Sequence, residues 1–243
     1  MQNVKVSIVI PAYNEAKIIR NAIETVLAFL ENSFSDYELI IADDGSTDKT
    51  KSIVEGIKSP YLRYIKLSPH RGKGRAVRKG VMQACGDIIV YTDADLAYGL
   101  EAVVLLVQKI ESSEYDVAIG SRKLHPDGYR DYPAIRLLAS RLFSFFAGRL
   151  AGFDYDTQCG LKAFSSKAAK DIFSRCFSDG FAFDFEAMMY AKALSYPVSQ
   201  IPVMIINHRQ SKVNVLRDSV RMFADIICIR HAVRKRLIEE KQQ

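Results

Sequence analysis

Residues 4–15 read VKVSIVIPAYNE, and this stretch decides the fold class. Val4 to Ile10 is a short apolar run rich in β-branched residues, which predicts a strand buried on both faces of a sheet. Asn14 precedes a helix-like segment of about Glu15 to Glu31. A buried strand that leads directly into a helix indicates an α/β fold with a parallel sheet.

The same alternation continues to about residue 120. Further apolar runs predict parallel strands at Tyr37 to Ala42, Leu62 to Leu67, Asp87 to Thr92 and Asp116 to Gly120. The segments between them predict helices at about Asp48 to Lys58, Lys73 to Ala84 and Leu100 to Ser112. The chain is therefore expected to form a doubly wound α/β sheet with helices on both faces. Ser121 to Pro133 is polar, contains Gly and Pro, and is expected to be a binding loop.

Composition narrows the class of protein. The 243 residues are 49% hydrophobic and 26% charged, which excludes a disordered chain and an ordinary integral membrane protein. We expect one catalytic domain over residues 1–212 and an amphipathic, basic helix over 213–243. The net charge of +6 favours an anionic partner. No signal-peptide pattern follows Met1, so a cytoplasmic location is expected.

Cysteine and histidine offer no motif. No C-x-x-C pair occurs, which argues against a zinc or redox site and predicts four buried, reduced thiols at Cys85, Cys159, Cys176 and Cys228. The histidines are scattered and are assigned no role at His70, His125, His208 and His231.

Three predicted strands end in polar or acidic clusters. These clusters are Pro11 to Glu15, Asp43 to Ser46 and Asp93 to Asp95. Because ligands of open α/β sheets bind outside the carboxyl ends of the strands, all three are expected to meet in one crevice. Helix capping is the alternative explanation for any single cluster. Asp93 and Asp95 together can hold a divalent cation that keeps positions open for phosphate oxygens.

A basic turn opens the third predicted helix at His70 to Arg75. A flexible backbone, a helix N-terminus and three cations would favour an anion there, and a solvated basic turn is the alternative. The lone G-x-G is not a dinucleotide-binding motif, and the chain lacks a P-loop.

The order of these motifs resembles a known family. VSIVIPAYNE (6–15), DDGST (43–47), RGKG (71–74) and DAD (93–95) are similar to the inverting family 2 glycosyltransferases, which have a GT-A fold. GSR (120–122), DTQCGLK (156–162), FAFDFE (181–186) and Ser211-Lys212 narrow the resemblance to polyprenyl-phosphate sugar transferases. Dolichyl-phosphate glucosyltransferases resemble the chain most, and dolichyl-phosphate mannosyltransferases come next.

The resemblance implies roles for the matching residues. The nucleotide would be bound by Pro11, Tyr13, Glu15, Asp44, Lys73 and Asp93. A divalent cation, Mg²⁺ or Mn²⁺, would be held by Asp93 and Asp95. The catalytic residues would be Asp95, Arg122, Asp156 and Lys212. The sugar would be surrounded by Asp156, Gln158, Asp184 and Glu186.

The resemblance also implies the substrates. Similar mannosyltransferases often carry Gln two residues after the second Asp of the DAD motif, whereas this chain has Ala97. UDP-glucose is therefore the favoured donor and GDP-mannose the next. A dolichyl or polyprenyl phosphate acceptor is largely dianionic at neutral pH and needs no general base, but it needs cations. Arginines in or after the loop are available for that role at Arg122, Arg130, Arg136 and Arg141.

Two segments could bring the protein to a membrane surface. Ala134 to Phe153 has a broad apolar face beside arginines, which fits either an interfacial helix or a helix docked on the sheet. The C-terminal helix, about Val213 to Glu240, becomes basic at Arg230, Arg234, Lys235 and Arg236, which suits anionic headgroups. A peripheral location on the cytoplasmic face of a membrane is expected.

The sequence disfavours two other functions. Transfer to a sugar hydroxyl would require a base and a Q-x-x-R-W-type segment, which a chain without tryptophan lacks. A nucleic-acid-binding protein is disfavoured because acidic strand ends would repel phosphates and because the aromatic residues are not gathered in one strand.

Overall fold

A computed structural model describes residues 4–130, 137, 148–149, 151–207 and 215–240, with the side chains of the last segment described from Asp225 onward. These residues contain a seven-stranded sheet with the strand order β3-β2-β1-β4-β6-β5-β7. The strands are β1 (Lys5–Ala12), β2 (Asp36–Asp43), β3 (Leu62–Lys66), β4 (Ile88–Tyr91), β5 (Val117–Ser121), β6 (Lys162–Ser165) and β7 (Val198–Pro202).

In the described ranges, seven helices of six or more residues accompany the sheet. They are α1 (Ile19–Ser33), α2 (Thr50–Glu55), α3 (Lys73–Gln83), α4 (Glu101–Glu111), α5 (Ser166–Arg175), α6 (Phe183–Ala193) and α7 (Val215–Glu240). A single 3₁₀ turn, Arg122–Leu124, opens the predicted binding loop. The five predicted strands and the four helices that alternate with them are all present, so the predicted doubly wound sheet is confirmed.

Strand direction determines where the site can form. The pairs β1–β2, β1–β4, β2–β3 and β5–β7 are parallel, whereas β6 is antiparallel to both of its neighbours. All strands except β6 therefore have their carboxyl ends at one edge of the sheet, which we call the carboxyl edge. The polar clusters that follow β1, β2 and β4 are neighbours there.

The sheet separates two hydrophobic cores. Val6, Ile8 and Ile10 of β1 pack with α1, α2 and α4 on one face. Val9 packs on the other face with α3, α5, α6 and α7. Helices thus cover both faces, which explains the lack of alternation in the central strands.

Two expectations about burial are wrong. The strand β3 is only half-buried, because it lies at the edge of the sheet with β2 as its one partner. Cys85 and Cys228 are exposed, since Cys85 follows the end of α3 and Cys228 lies on an outer face of α7. Cys159 and Cys176 are buried as expected.

The C-terminal helix packs into the second core. Ile226, Ile229 and Val233 are buried there beside α6. The predicted division after residue 212 lies in a stretch outside the described residues and stays a prediction, as does most of the segment Ala134 to Phe153. No helix in the described ranges is long and apolar enough to span a bilayer.

Candidate active site

The carboxyl edge brings the predicted polar clusters together. Lys73, the first residue of α3, places its Nζ 2.5 Å from Asp93 Oδ1, just beyond β4. Burial lowers the pKa of Lys73, but the carboxylates of Asp93 and then Asp184 outweigh it and hold that pKa above its ordinary value. The site therefore keeps a lysine cation among acidic groups.

Asp44 is bound by the basic turn that precedes α3. Its Oδ2 accepts hydrogen bonds from the backbone N–H groups of Arg71 at 3.0 Å and Gly72 at 2.5 Å. The N–H of Gly74 donates instead to the carbonyl of Asp179 at 2.9 Å. In this structure the turn binds an anion, as expected for backbone N–H groups at a helix N-terminus. That anion is a carboxylate of the protein itself.

His70, to which the sequence assigned no role, lies beside Asp44. Its ring stacks on Tyr13 with centroids 3.7 Å apart, and its Nδ1 lies 2.7 Å from Asp44 Oδ2. The position directly before the RGKG motif was the available signal in the sequence. Tyr13, His70 and Asp44 therefore form one wall, beside buried Pro11 and half-buried Glu15.

The turn after β4 is supported from two sides. The backbone N–H of Ala97 donates to Asp95 Oδ1 at 3.2 Å, and Asn207 Nδ2 donates to the carbonyl of Asp95 at 3.0 Å. The absent side chain at Gly160 allows close approach to Asp93, because a Cβ built there would overlap Asp93 Oδ2. Asp93 and Asp95 are thus held at the mouth of the crevice by segments from the second half of the chain.

Arg122 and Asp156 form a buried ion pair. Arg122 Nε and Nη2 donate to the two carboxylate oxygens of Asp156 at 2.8 and 2.7 Å, and the backbone N–H of Arg122 adds a third bond. Burial raises the pKa of Asp156, but Arg122 outweighs it and holds that pKa below its ordinary value. Asp156 therefore fixes the guanidinium at the end of β5.

Asp184 accepts two short hydrogen bonds. Tyr91 Oη and Lys162 Nζ each lie 2.5 Å from Asp184 Oδ1. Neither Tyr91 nor Lys162 was assigned a role from the sequence, although Lys162 closes the DTQCGLK motif. The pattern alone could not show that its side chain points inward.

Glu186 and Gln158 differ in whether their buried polar atoms have hydrogen-bond partners among the described residues. Glu186 is fully buried and accepts hydrogen bonds from the backbone N–H groups of Phe177 and Ser178 at 2.8–3.2 Å. Gln158 Nε2 is buried and has no hydrogen-bond partner in the described part of the chain. Their placement around a sugar stays a prediction.

Three predicted site residues, Arg136, Arg141 and Lys212, lie outside the described residues. Within the described ranges, no group of three or more His, Cys, Asp or Glu residues could hold a metal ion by itself. A cation at Asp93 and Asp95 would therefore have to complete its coordination with water and substrate oxygens.

Several named proteins are similar in sequence to this chain. A 32% identical protein is glycosyltransferase AglD of Haloferax volcanii; the match covers 92% of this chain and 36% of that protein. The dolichyl-phosphate β-glucosyltransferase of Dictyostelium discoideum is 32% identical over 95% of this chain and 75% of its own length. That of Saccharomyces cerevisiae is 33% identical, with the same coverage.

Solved structures agree with the fold. Glucosyl-3-phosphoglycerate synthase of Mycobacterium tuberculosis, crystallised with UDP, has a TM-score of 0.71 at 20% identity, over 94% of this chain and 80% of that one. The resemblance to a GT-A-type α/β fold is confirmed. The model of "Glycosyl transferase family 2" matches residues 7–173. The chain therefore belongs to glycosyltransferase family 2.

Proposed function

We propose that the chain transfers glucose from UDP-glucose to dolichyl phosphate or another polyprenyl phosphate, with inversion of the anomeric centre. The observation that carries the proposal is the carboxyl edge itself, where the turn that binds Asp44 leads directly into Lys73 and its ion pair with Asp93. The names of the dolichyl-phosphate β-glucosyltransferases among the relatives support glucose and a lipid phosphate as substrates.

The base would bind at Asp44. Its Oδ2 is fully engaged by the basic turn, whereas its Oδ1 is buried without a hydrogen-bond partner in the described residues. Arg75 Nη1, at 3.8 Å, is too far to hydrogen-bond that oxygen. A buried acceptor left open suits an N–H donor such as that of uracil, because an unsatisfied carboxylate oxygen is costly.

A divalent cation fits the donor set of Asp93 and Asp95. Two carboxylates one residue apart beyond a buried strand are hard oxygen ligands, and Mg²⁺ or Mn²⁺ usually binds through one or two carboxylates plus substrate phosphates. The mycobacterial synthase has been crystallised with Mn²⁺ and UDP-glucose. Such an ion, when bound, stabilises the charge of the departing diphosphate.

The protein's own residues supply the rest of the chemistry. Lys73, beside Asp93, provides a cation where negative charge develops on the leaving group. Arg122, held by Asp156, provides a fixed positive charge at the end of β5. The acceptor oxygen is already ionised at neutral pH, because the second pKa of a phosphate monoester is about 6. Direct attack on the anomeric carbon therefore requires no base and gives a β-linked product from an α-linked donor.

The acceptor would approach from a bilayer. Large apolar side chains are exposed on segments that lie at the carboxyl edge, at Leu124, Phe177, Phe181, Met204 and Ile206. An apolar rim beside a charged crevice suits a lipid whose phosphate must enter the site while its chain stays in hydrocarbon. The protein would then sit peripherally on the cytoplasmic face of a membrane.

The test is to identify the product. Purified protein with Mn²⁺, polyprenyl phosphate and a panel of nucleotide sugars should yield a hexosyl phospholipid by mass spectrometry, with UDP-glucose as the best donor. The anomeric coupling constant should be that of a β-linkage. A mannosyl product from GDP-mannose would show that the donor is wrong, and an α-linked product would contradict the single-displacement mechanism.

A further inference from the structure

Lys162 is a buried cation that the proposed reaction does not use. Its side chain is 0% exposed, and its ammonium group donates to three oxygens. These are the carbonyls of Thr157 at 3.0 Å and Cys159 at 2.6 Å and the carboxylate of Asp184 at 2.5 Å. Its three N–H donors therefore have three acceptors, which is the condition for burying an ammonium group at tolerable cost.

The loop that Lys162 holds forms the back of the Asp93 site. Gly160, the last residue of this loop, borders the site, because an added Cβ would overlap Asp93 Oδ2 and lie 3.5 Å from Lys73 Nζ. A displacement of residues 157–160 toward the crevice would thus push directly on the Lys73–Asp93 pair. A displacement away would leave Asp93 without support.

Asp184 links the same lysine to the other side of the pair. It accepts from Tyr91 at the end of β4, two residues before Asp93. Phe183, the residue directly before Asp184, places its ring centroid 5.9 Å from Lys73 Nζ. Lys162, Asp184 and Tyr91 therefore lie directly behind Lys73 and Asp93.

We propose that Lys162 is a positioning residue, which sets the geometry of Asp93 and Lys73 for a diphosphate and its divalent cation without contacting either. It acts through the carbonyls of residues 157 and 159 and through Asp184. The inference rests on the proposed function, because it assumes that Asp93 takes part in cation-dependent nucleotide binding.

The experiment uses Lys162→Met, with Lys170→Met as a matched control. Lys170 also caps three backbone carbonyls, those of Val81, Met82 and Ala84 at 2.7–2.8 Å, but at the opposite end of α3 from Lys73. Both variants remove a carbonyl-binding ammonium, so both should lower thermal stability. Only the first should alter the site.

The readout is the metal-dependent gain in UDP affinity, measured by calorimetry as the ratio of the Kd in EDTA to the Kd in Mn²⁺. We expect this ratio to fall about tenfold in Lys162→Met, the usual size of an outer-shell effect on metal binding, and to stay unchanged in Lys170→Met. An unchanged ratio in folded Lys162→Met, or an equal loss in Lys170→Met, would overturn the inference.

Gly160→Ala tests the same contact without removing the lysine. The added methyl group presses on Asp93, so the ratio should fall while the lysine and its acceptors remain. If Lys162→Met does not fold, an unchanged ratio in Gly160→Ala contradicts the proposal. A wild-type protein with no metal-dependent gain would instead refute the cation site of the proposed function.

Discussion

Asp44 and Asp93 in the first half of the chain use their oxygens differently from Asp156 and Glu186 in the second half. In the first half, Asp44 keeps one oxygen without a hydrogen-bond partner in the described structure, and the side chain of Asp93 is 33% exposed. In the second half, both oxygens of Asp156 bind Arg122, and both oxygens of Glu186 bind backbone N–H groups. We therefore expect an acid with acceptor capacity left over to bind a ligand, and an acid with both oxygens bonded to stabilise the fold.

The largest effect is expected at Asp95, one of the two carboxylates that would bind the cation. Asp95→Asn should reduce transfer by about 1000-fold, or about 4 kcal/mol, because a neutral amide cannot replace a carboxylate ligand. Asp87→Asn is the control, since Asp87 precedes the amino end of the same strand and binds the backbone N–H of Lys5. Steady-state assays should show near-normal turnover in the control, and full turnover of Asp95→Asn would remove Asp95 from the cation site.

A loss of stability is expected when an acid with both oxygens bonded is substituted. Asp156→Asn leaves the buried Arg122 guanidinium without its counter-ion, which should cost about 3–5 kcal/mol in the free energy of unfolding. The nearby pair Lys123–Asp154 has a similar distance of 2.6 Å, but the Asp154 side chain is 85% exposed. Asp154→Asn should therefore cost about 0–1 kcal/mol. Equal losses in urea titrations would show that burial does not govern these pairs.

Asp44 should show a binding effect of intermediate size. Asp44→Ala removes the open oxygen and should weaken UDP binding by about 1.5–3 kcal/mol, the range for a charged hydrogen bond. Asp179→Ala is the control, because Asp179 holds the same basic turn through Arg71 and Arg78 but offers nothing to the base. Calorimetry should find the smaller loss in Asp179→Ala; equal losses would mean that Asp44 only supports the turn.

The smallest effect concerns Glu186. Burial raises its pKa, and the backbone N–H groups of Phe177 and Ser178 only partly offset this. A raised carboxyl pKa contributes stability that is full below the unfolded value, near 4.5, and is lost as the pH rises through the folded pKa. Glu186→Gln should therefore change the free energy of unfolding by only about 1 kcal/mol at pH 7, because the neutral amide avoids burial of a charge but its NH₂ group cannot accept from a backbone N–H.

The pH dependence of stability tests the direction of the pKa shift of Glu186. The stability advantage of wild type over Glu186→Gln should shrink as the pH rises above 4.5, as measured by denaturant unfolding at several pH values. Asp156 should behave oppositely, with its contribution lost only as the pH falls through a value below 3.8. If the stability advantage of wild type grew as the pH rose, the pKa of Glu186 would be lowered rather than raised.

The first half of the fold was predictable because each strand and helix has a clear pattern. The later elements lack one. The helix α6 is buried around nearly its whole circumference and shows no amphipathic period. The strand β6 is antiparallel to both of its neighbours, so the strand–helix alternation that predicted the parallel strands does not extend to it. The motifs of the second half could be matched to a family, but the match could not show which of their side chains point inward. Lys162 and Asp184 are the examples, since their partners are known only from the packing.

The difference between acids with acceptor capacity left over and acids with both oxygens bonded is tested most directly by the contribution of glucose to binding. Calorimetry would give the ratio of the Kd of UDP to the Kd of UDP-glucose for wild type, Asp156→Asn and Glu186→Gln. If these acids only stabilise the fold, the ratio should stay within about twofold of wild type even where the free energy of unfolding falls. A shift of about tenfold or more, with stability unchanged, would mean that they contact the sugar and would contradict the account.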